Sequence, residues 1–419
     1  MSPGLTFSRL KLAFLLPLTF VIAILTSGCG NQFRPVAIPI PQNGGDPGTL
    51  HDAIVLSTNG ASPGSTMHID VSGDSVSAIN TTGIGPVYAA LINNQTRTMV
   101  VNQADGTLSS YTTFGGPGTS VTTTLLPSGS CPTFVASTEN ANAWVTEPGS
   151  CSPTGPGSVG VISLLSLAQT ASVSVGTNPV ALAELANGAK VYVANKGSNS
   201  ISVINSSDQS VPTTITTGIG VAPSHVVASN ETGNTNDNHG CVYVANSGSS
   251  SVSVINPFTD TVASTITVAA GPTFLRFDKN LQRVYVVSPS SNSITVLAHN
   301  TSCTPTVLKT VTAGISFNAG TLGPISQLVT ALANGTRFYV ANNGNNTVTV
   351  YDAGSFTLLK TIPVGSDPVS IDSSPDSIRV YTANQGSGNV SVINTSNDTV
   401  ATTLNAPSGQ TPIQVQVTQ

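Results

Sequence analysis

Lys190-Val-Tyr-Val-Ala-Asn-Lys-Gly-Ser-Asn-Ser-Ile-Ser-Val-Ile-Asn205 contains two short apolar runs, Val191 to Ala194 and Ile201 to Ile204, separated by a polar reversal. The runs are rich in β-branched and aromatic side chains, which pack well on a pleated surface, so each reads as a strand. Asn and Gly in the reversal suit the positive φ of a tight turn, which makes the segment an antiparallel hairpin. The phrase recurs as Val242-Tyr-Val-Ala-Asn246 with Ser251-Val-Ser-Val-Ile-Asn256, as Phe338-Tyr-Val-Ala-Asn342 with Thr347-Val-Thr-Val-Tyr-Asp352, and as Val380-Tyr-Thr-Ala-Asn384 with Asn389-Val-Ser-Val-Ile-Asn394. Self-similarity at a fixed period decides the architecture before any single residue does.

A proline precedes each copy: Pro86, Pro132, Pro179, Pro223, Pro272, Pro324, Pro368 and Pro412, at intervals of 46, 47, 44, 49, 52, 44 and 44 residues. A period near 40 to 45 residues holding four short strands is the signature of a propeller blade. In the copy from Pro179 the strands, A to D from centre to rim, are 180–185, 190–194, 200–204 and 213–217. Such a sheet has two apolar faces and can bury neither alone, so copies must stack face to face until the ring closes. Earlier copies are worn but readable, with 97–102, 108–112 and 121–126 as B to D after Pro86, and 143–146 and 159–164 as B and C after Pro132. Residues 230–240 form an inserted A–B loop, and a Gly-rich loop at 314–323 lengthens the Pro272 copy.

The two ends supply one more blade. Residues 53–60, 67–71 and 75–80 read as B, C and D without an A, and Pro412 to Val417 reads as an A alone. Pairing the last strand inside the first three completes a blade and removes two exposed edges. The expected fold is all-β: one propeller over 51–419 with eight four-stranded blades, seven being the alternative count.

Only 7% of residues are charged and the net charge is −5. Lys and Arg are scattered singly, so no basic stripe exists to neutralise phosphates, and nucleic acid is not an expected partner. The N-terminus places Arg9 and Lys11 before an apolar run from Leu12 to Leu25 and then Thr26-Ser-Gly-Cys29. That order reads as a signal peptide over 1–28. The small residues before Cys29 resemble a bacterial lipoprotein signal, which implies acylation of Cys29, although Thr26 stands where that signal usually carries Leu. Cleavage without lipid and an uncut anchor are the alternatives. Residues 29–50, with Pro35, Pro39, Pro41 and Pro47, then form a flexible tether to the membrane.

The phrase Tyr-Val-Ala-Asn, with Gly two residues later and then Val-Ser-Val-Ile-Asn, resembles the bacterial propeller family named after its Tyr-Val-Thr-Asn repeat. The resemblance covers roughly 50–419, the closest copies lying at Tyr192, Tyr243, Tyr339 and Tyr381. It implies an exported, surface-attached propeller and is nearly silent about chemistry. Relatives in fold include sugar-lactone hydrolases, metal and cofactor enzymes and binding scaffolds, and fold does not choose among them. The repeated tyrosines are expected to fill volume between sheets, with each hydroxyl on a backbone partner. Asn195, Asn246, Asn342 and Asn384 are expected at the B–C turn, bonding nearby backbone and accepting the left-handed region. A sugar site repeated around the ring is the alternative use for them.

Beyond Cys29, four cysteines in an exported chain favour disulfides. Cys131 precedes an A strand and Cys151 follows the B strand antiparallel to it, so the two share one end of a blade and are expected to bond. Cys241 begins a B strand and Cys303 lies in the next C–D loop, which leaves that pair as the second bond; zinc held with His239 and His299 is the alternative. Of the scattered histidines, His225 has a positional argument, because it lies two residues after its proline, where Tyr88, Ala181, Phe134 and Phe274 lie in other copies. Those positions converge at the axis. Tyr88, Phe134, His225 and Phe274, with Arg276 nearby, are therefore candidate lining of an axial funnel, or else a plug in the channel.

Catalysis has little support. The inner-strand acids Glu184, Asp278 and Asp372 fall at unmatched offsets from their prolines, and no G-x-S-x-G or H-E-x-x-H phrase is present. No cofactor or metal is expected. The functional reading is a monomeric binding scaffold at the cell envelope for a protein or glycan, with a lactonase-like or other metal-dependent hydrolase using the funnel as the alternative.

Overall fold

The computed structural model describes Met1, 51–92, 94–114, 116, 119–138, 141–229, 240–323 and 325–419. The expected signal, Cys29, the tether, most of the 230–240 loop, His239 and Pro324 lie outside the described residues. The remainder forms eight four-stranded antiparallel sheets. Blade 1 takes Asp52–Asn59, Ser62–Asp70 and Ser75–Ile84 as B, C and D and Thr411–Val417 as A. Blades 2 to 8 follow in order, with B strands Arg97–Asn102, Asn142–Glu147, Lys190–Asn195, Val242–Asn246, Arg283–Ser288, Arg337–Asn342 and Arg379–Asn384. Each A strand touches the A strands of both neighbours, and the strand 411–417 touches those of blades 8 and 2, so the ring is closed.

Closure has the predicted register. Val417, Val415 and Gln414 pair with Ala53, Val55 and Leu56. Val415 and Val417 are buried against Tyr381, Val390 and Val392 of blade 8. At the axis, the Val415 and Val417 amides donate to Ser370 Oγ (3.1 Å) and Asp372 Oδ2 (3.0 Å) of blade 8. On the other side, Gln414 bridges to the Ala89 amide and carbonyl of blade 2.

Two repeated side chains behave differently from expectation. The asparagines end strand B, outside the left-handed region, and are not turn residues. Their amides donate chiefly to side chains on strand C: Asn195 to Ser200 and Ser202, Asn246 to Ser251 and Ser253, Asn342 to Thr347 and Thr349, Asn384 to Asn389 and Ser391. Strand alternation causes this, because the i+5 and i+7 residues of the hairpin lie on the same face as the Asn.

The tyrosine hydroxyls likewise reach across the blade interface to a side chain. Tyr192 and Tyr339 donate to Asp260 and Asp398 at 2.6 Å, and Tyr381 to Asp74 at 3.3 Å. The basic residue two places earlier binds the same carboxylate: Lys190 to Asp260, Arg337 to Asp398, Arg379 to Asp74, at 2.7 to 2.8 Å. Each Asp sits at positive φ in the C–D turn of the following blade, a conformation Asp tolerates better than most residues. Between blades 5 and 6 the clamp changes chemistry. Cys241 occupies the basic position and Cys303, also at positive φ, lies in the longer C–D turn of blade 6, and the two form a disulfide. Beside it Tyr243 Oη meets His299 Nδ1 at 2.6 Å. Between blades 6 and 7 Phe356 stands in the Asp position, and the Arg283 guanidinium lies over its ring at 5.1 Å.

Candidate functional site

The inner strands present inward-facing residues in layers, because alternate side chains of a strand share a face. One inner layer, two residues after the ruler proline in seven blades and at Leu328 in blade 7, contains Tyr88, Phe134, Ala181, His225, Phe274, Leu328, Ser370 and Gln414. Four of these meet ring to ring. Tyr88 stacks on Phe134 at 4.3 Å, Phe134 meets His225 edge-on at 6.1 Å across the small Ala181, and His225 lies 4.4 Å from Phe274. Phe134, His225 and Phe274 are buried. The structure thus brings four of the five funnel candidates together as a packed column on one half of the axis. Arg276 is one layer deeper and pairs with Asp372 at 2.7 Å.

Burial governs the titration of this column. It raises the Tyr88 hydroxyl to about 12, a hydrogen bond with Gln416 acting the other way, and lowers His225 to about 3. His225 Nδ1 accepts the Leu275 amide at 3.4 Å, which suits the neutral ring. The unfolded chain, with an imidazole near 6.5, binds a proton that the folded chain refuses between those values. Stability from this residue is therefore complete above pH 6.5 and falls as pH drops toward 3, by at most about 1.4 kcal/mol per unit. Urea unfolding of His225→Phe is expected to show a shallower loss between pH 7 and 4.5 than the parent; an unchanged slope would place the acid sensitivity elsewhere.

Inner-strand carboxylates are engaged in holding the fold. Glu184 accepts from Trp144 Nε1 at 3.1 Å and from the Thr138 amide at 2.6 Å. Asp278 Oδ1 accepts the Asn280 and Leu281 amides. Asp372 binds Arg276, the Ser373 and Val417 amides and the Thr330 hydroxyl. Among the described residues no three His, Cys, Asp or Glu side chains gather as a ligand set for one metal ion.

The open half of the mouth on the Pro side is a cavity of about 410 Å³. Val87, Ile325, Val369 and Ile413 line it, each the residue that follows a ruler proline in blades 2, 7, 8 and 1. Thr58, Gln103, Ser326 and Gln385 supply polar groups around the same cavity. Gln103, Ala104 and Cys151 are shared with a second hollow of about 490 Å³, which runs along Ser128, Gly129, Ser130 and the Cys131–Cys151 disulfide. The cup was not singled out from the sequence, although the apolar residue after each of these prolines was its signal.

The family model described as lactonase, 7-bladed beta-propeller, matches residues 257–418, from the C–D turn of blade 5 to the closing strand. The chain departs from that description in having eight blades. No curated protein matches the sequence. Among solved structures, it is similar to a functionally unknown protein from Desulfotomaculum acetoxidans DSM 771, at 15% identity and TM-score 0.58, over 74% of this chain and 94% of that one. A protein from Lactobacillus plantarum is 18% identical with TM-score 0.57, over 88% and 100%. A putative 6-phosphogluconolactonase from Bacteroides fragilis NCTC 9343 is 12% identical with TM-score 0.56, over 90% and 100%. At these identities the likeness establishes a β-propeller and nothing further about activity.

Proposed function

We propose that this protein is an exported binding propeller of the Tyr-Val-Thr-Asn repeat type, tethered to the bacterial membrane through an acylated Cys29, that captures a protein or glycan ligand at its axial mouth. The observation carrying the reading is the cup: the apolar residue after the ruler proline in four successive blades lines an open hollow beside an axis closed by aromatic rings. A rigid concave apolar surface with a few polar groups at its edge is the ordinary form of a binding site. The adjoining hollow, with its hydroxyls and disulfide, suits an elongated ligand that seats an apolar end in the cup and lays a polar body beside it.

The second reading is a lactonase-like hydrolase, favoured by the partial family match and the Bacteroides neighbour. With no metal-ligand set among the described residues and with Glu184 and Asp372 committed to structural bonds, it is the less supported of the two. One experiment separates them. The apolar dye 1-anilinonaphthalene-8-sulfonate is expected to bind the parent saturably and to bind Ile325→Asp and Ile413→Asp at least tenfold more weakly, while a δ-lactone is not turned over with or without a chelator. Dye binding indifferent to both substitutions would reject the cup, and lactone turnover lost in Arg276→Ala would favour the hydrolase. Both substituted residues are partly exposed, so the folded ring is retained.

A further inference from the structure

The D strands form the outer edge of the ring, and in six blades each carries a bulge at an equivalent place, one extra residue against strand C. The extra residue and its successor are Ser77-Ala78 in blade 1, Thr170-Ala171 in blade 3, Ala263-Ser264 in blade 5 and Ala401-Thr402 in blade 8. In the adjacent blades 6 and 7 they are Leu308-Lys309 and Leu359-Lys360. The residues before them, Val307 and Leu358, are also exposed: the four aliphatic side chains are 47%, 41%, 39% and 50% accessible. Leu358 packs close to Gly314 in the loop leaving blade 6, which places the two edges side by side.

Lys360 donates to the Asn397 carbonyl of blade 8 at 2.8 Å yet stays exposed, with two ammonium hydrogens left for another partner. Edge strands are often protected against pairing by Lys, but the edges of blades 1, 3, 5 and 8 have none, and exposed Leu works against such protection. Stacking does use the position of Val307 and Leu358, where Val262 and Val400 of sister blades pack against the core, but at the extra residue and its successor four sister blades manage with small residues. Cations are scarce in this chain, and Lys190, Arg276, Arg337 and Arg379 are committed to carboxylates. The strands Thr306–Val311 and Leu358–Pro363 contain no acid. Aliphatic side chains interleaved with Lys match the boundary of an anionic bilayer, where hydrocarbon enters the headgroup region and the ammonium groups meet phosphates.

We propose that the outer edges of blades 6 and 7 form a lipid-facing patch, through which the propeller rests edge-on against an anionic membrane surface. Two lysines near such a surface give about a thirtyfold preference over a neutral one. Attachment of that strength is reversible alone and serves to orient a protein held by other means.

The test uses the full chain on vesicles of phosphatidylcholine with and without phosphatidylglycerol, read by amide hydrogen exchange. Exchange over 306–311 and 358–363 is expected to slow severalfold on the anionic vesicles, while the equivalent strands 261–267 and 399–405 are unchanged. The difference is expected to vanish in Leu308→Ser/Leu359→Ser and in high salt. Exchange that is unaltered by lipid, equally slowed on neutral vesicles, or slowed alike in the control strands would overturn the proposal. Protection appearing only with a soluble protein partner would overturn it too.

Discussion

Removing residues 412–419 is expected to abolish the folded ring rather than fray its end. The deletion takes away Val415 and Val417, both buried, each worth about 1.5–3 kcal/mol of apolar burial. It also exposes the inner edge of Asp52–Asn59 and removes Gln414 from Ala89. Ser370 and Asp372 lose the amides they accept. Together these approach the whole stability of an ordinary domain, about 5–15 kcal/mol. Val415→Asp is the milder form, burying an unpaired carboxylate and costing at least about 3 kcal/mol. Circular dichroism against temperature measures both. A deletion variant melting within a few degrees of the parent would mean that blade 1 is stable with three strands.

The second large effect lies at a blade interface. Asp398→Ala is expected to cost about 2–4 kcal/mol, because it removes the acceptor of the buried Tyr339 hydroxyl and the carboxylate partner of Arg337, leaving the guanidinium with the Thr395 carbonyl and the Tyr339 oxygen. Tyr339→Phe removes one hydroxyl and leaves the ion pair, so its cost should be about 1 kcal/mol. Burial first, and then Asp398, hold the Tyr339 hydroxyl above the ordinary tyrosine range. Urea midpoints compare the two variants. Equal, small losses would show that stacking alone holds neighbouring blades together.

The sequence made the architecture legible because each blade needs the same apolar pattern to stack on its neighbours. The closing strand could be read because Pro412 to Val417 was left over as one strand where 53–80 lacked one. The clamps were not legible from any single copy. Lys190 and Asp260 are distant in sequence and meet only because strand B of one blade faces the C–D turn of the next. Aligning copies would have shown the basic residue two places before Tyr192, Tyr339 and Tyr381 and the Asp before Ser-Val or Thr-Val at 74, 260 and 398, with Cys241 in the basic place; Cys303 lies two residues before the aligned Asp place, in a longer C–D turn. The axial candidates could be named from position alone. Whether they lined a funnel depended on Ala181, whose small side chain lets Phe134 reach His225 and close half the mouth. Chemistry was the least legible layer, since the conspicuous Tyr and Asn serve stacking and hairpin bonding.

Native-state hydrogen exchange at residues 413–417 shows whether the eight-bladed ring is zipped shut by its own last strand. The Val415 and Val417 amides are expected to exchange as slowly as those of the inner strand Pro179–Glu184, through global unfolding alone. Exchange at those two amides as fast as in the loops, with 180–184 still protected, would contradict that closure.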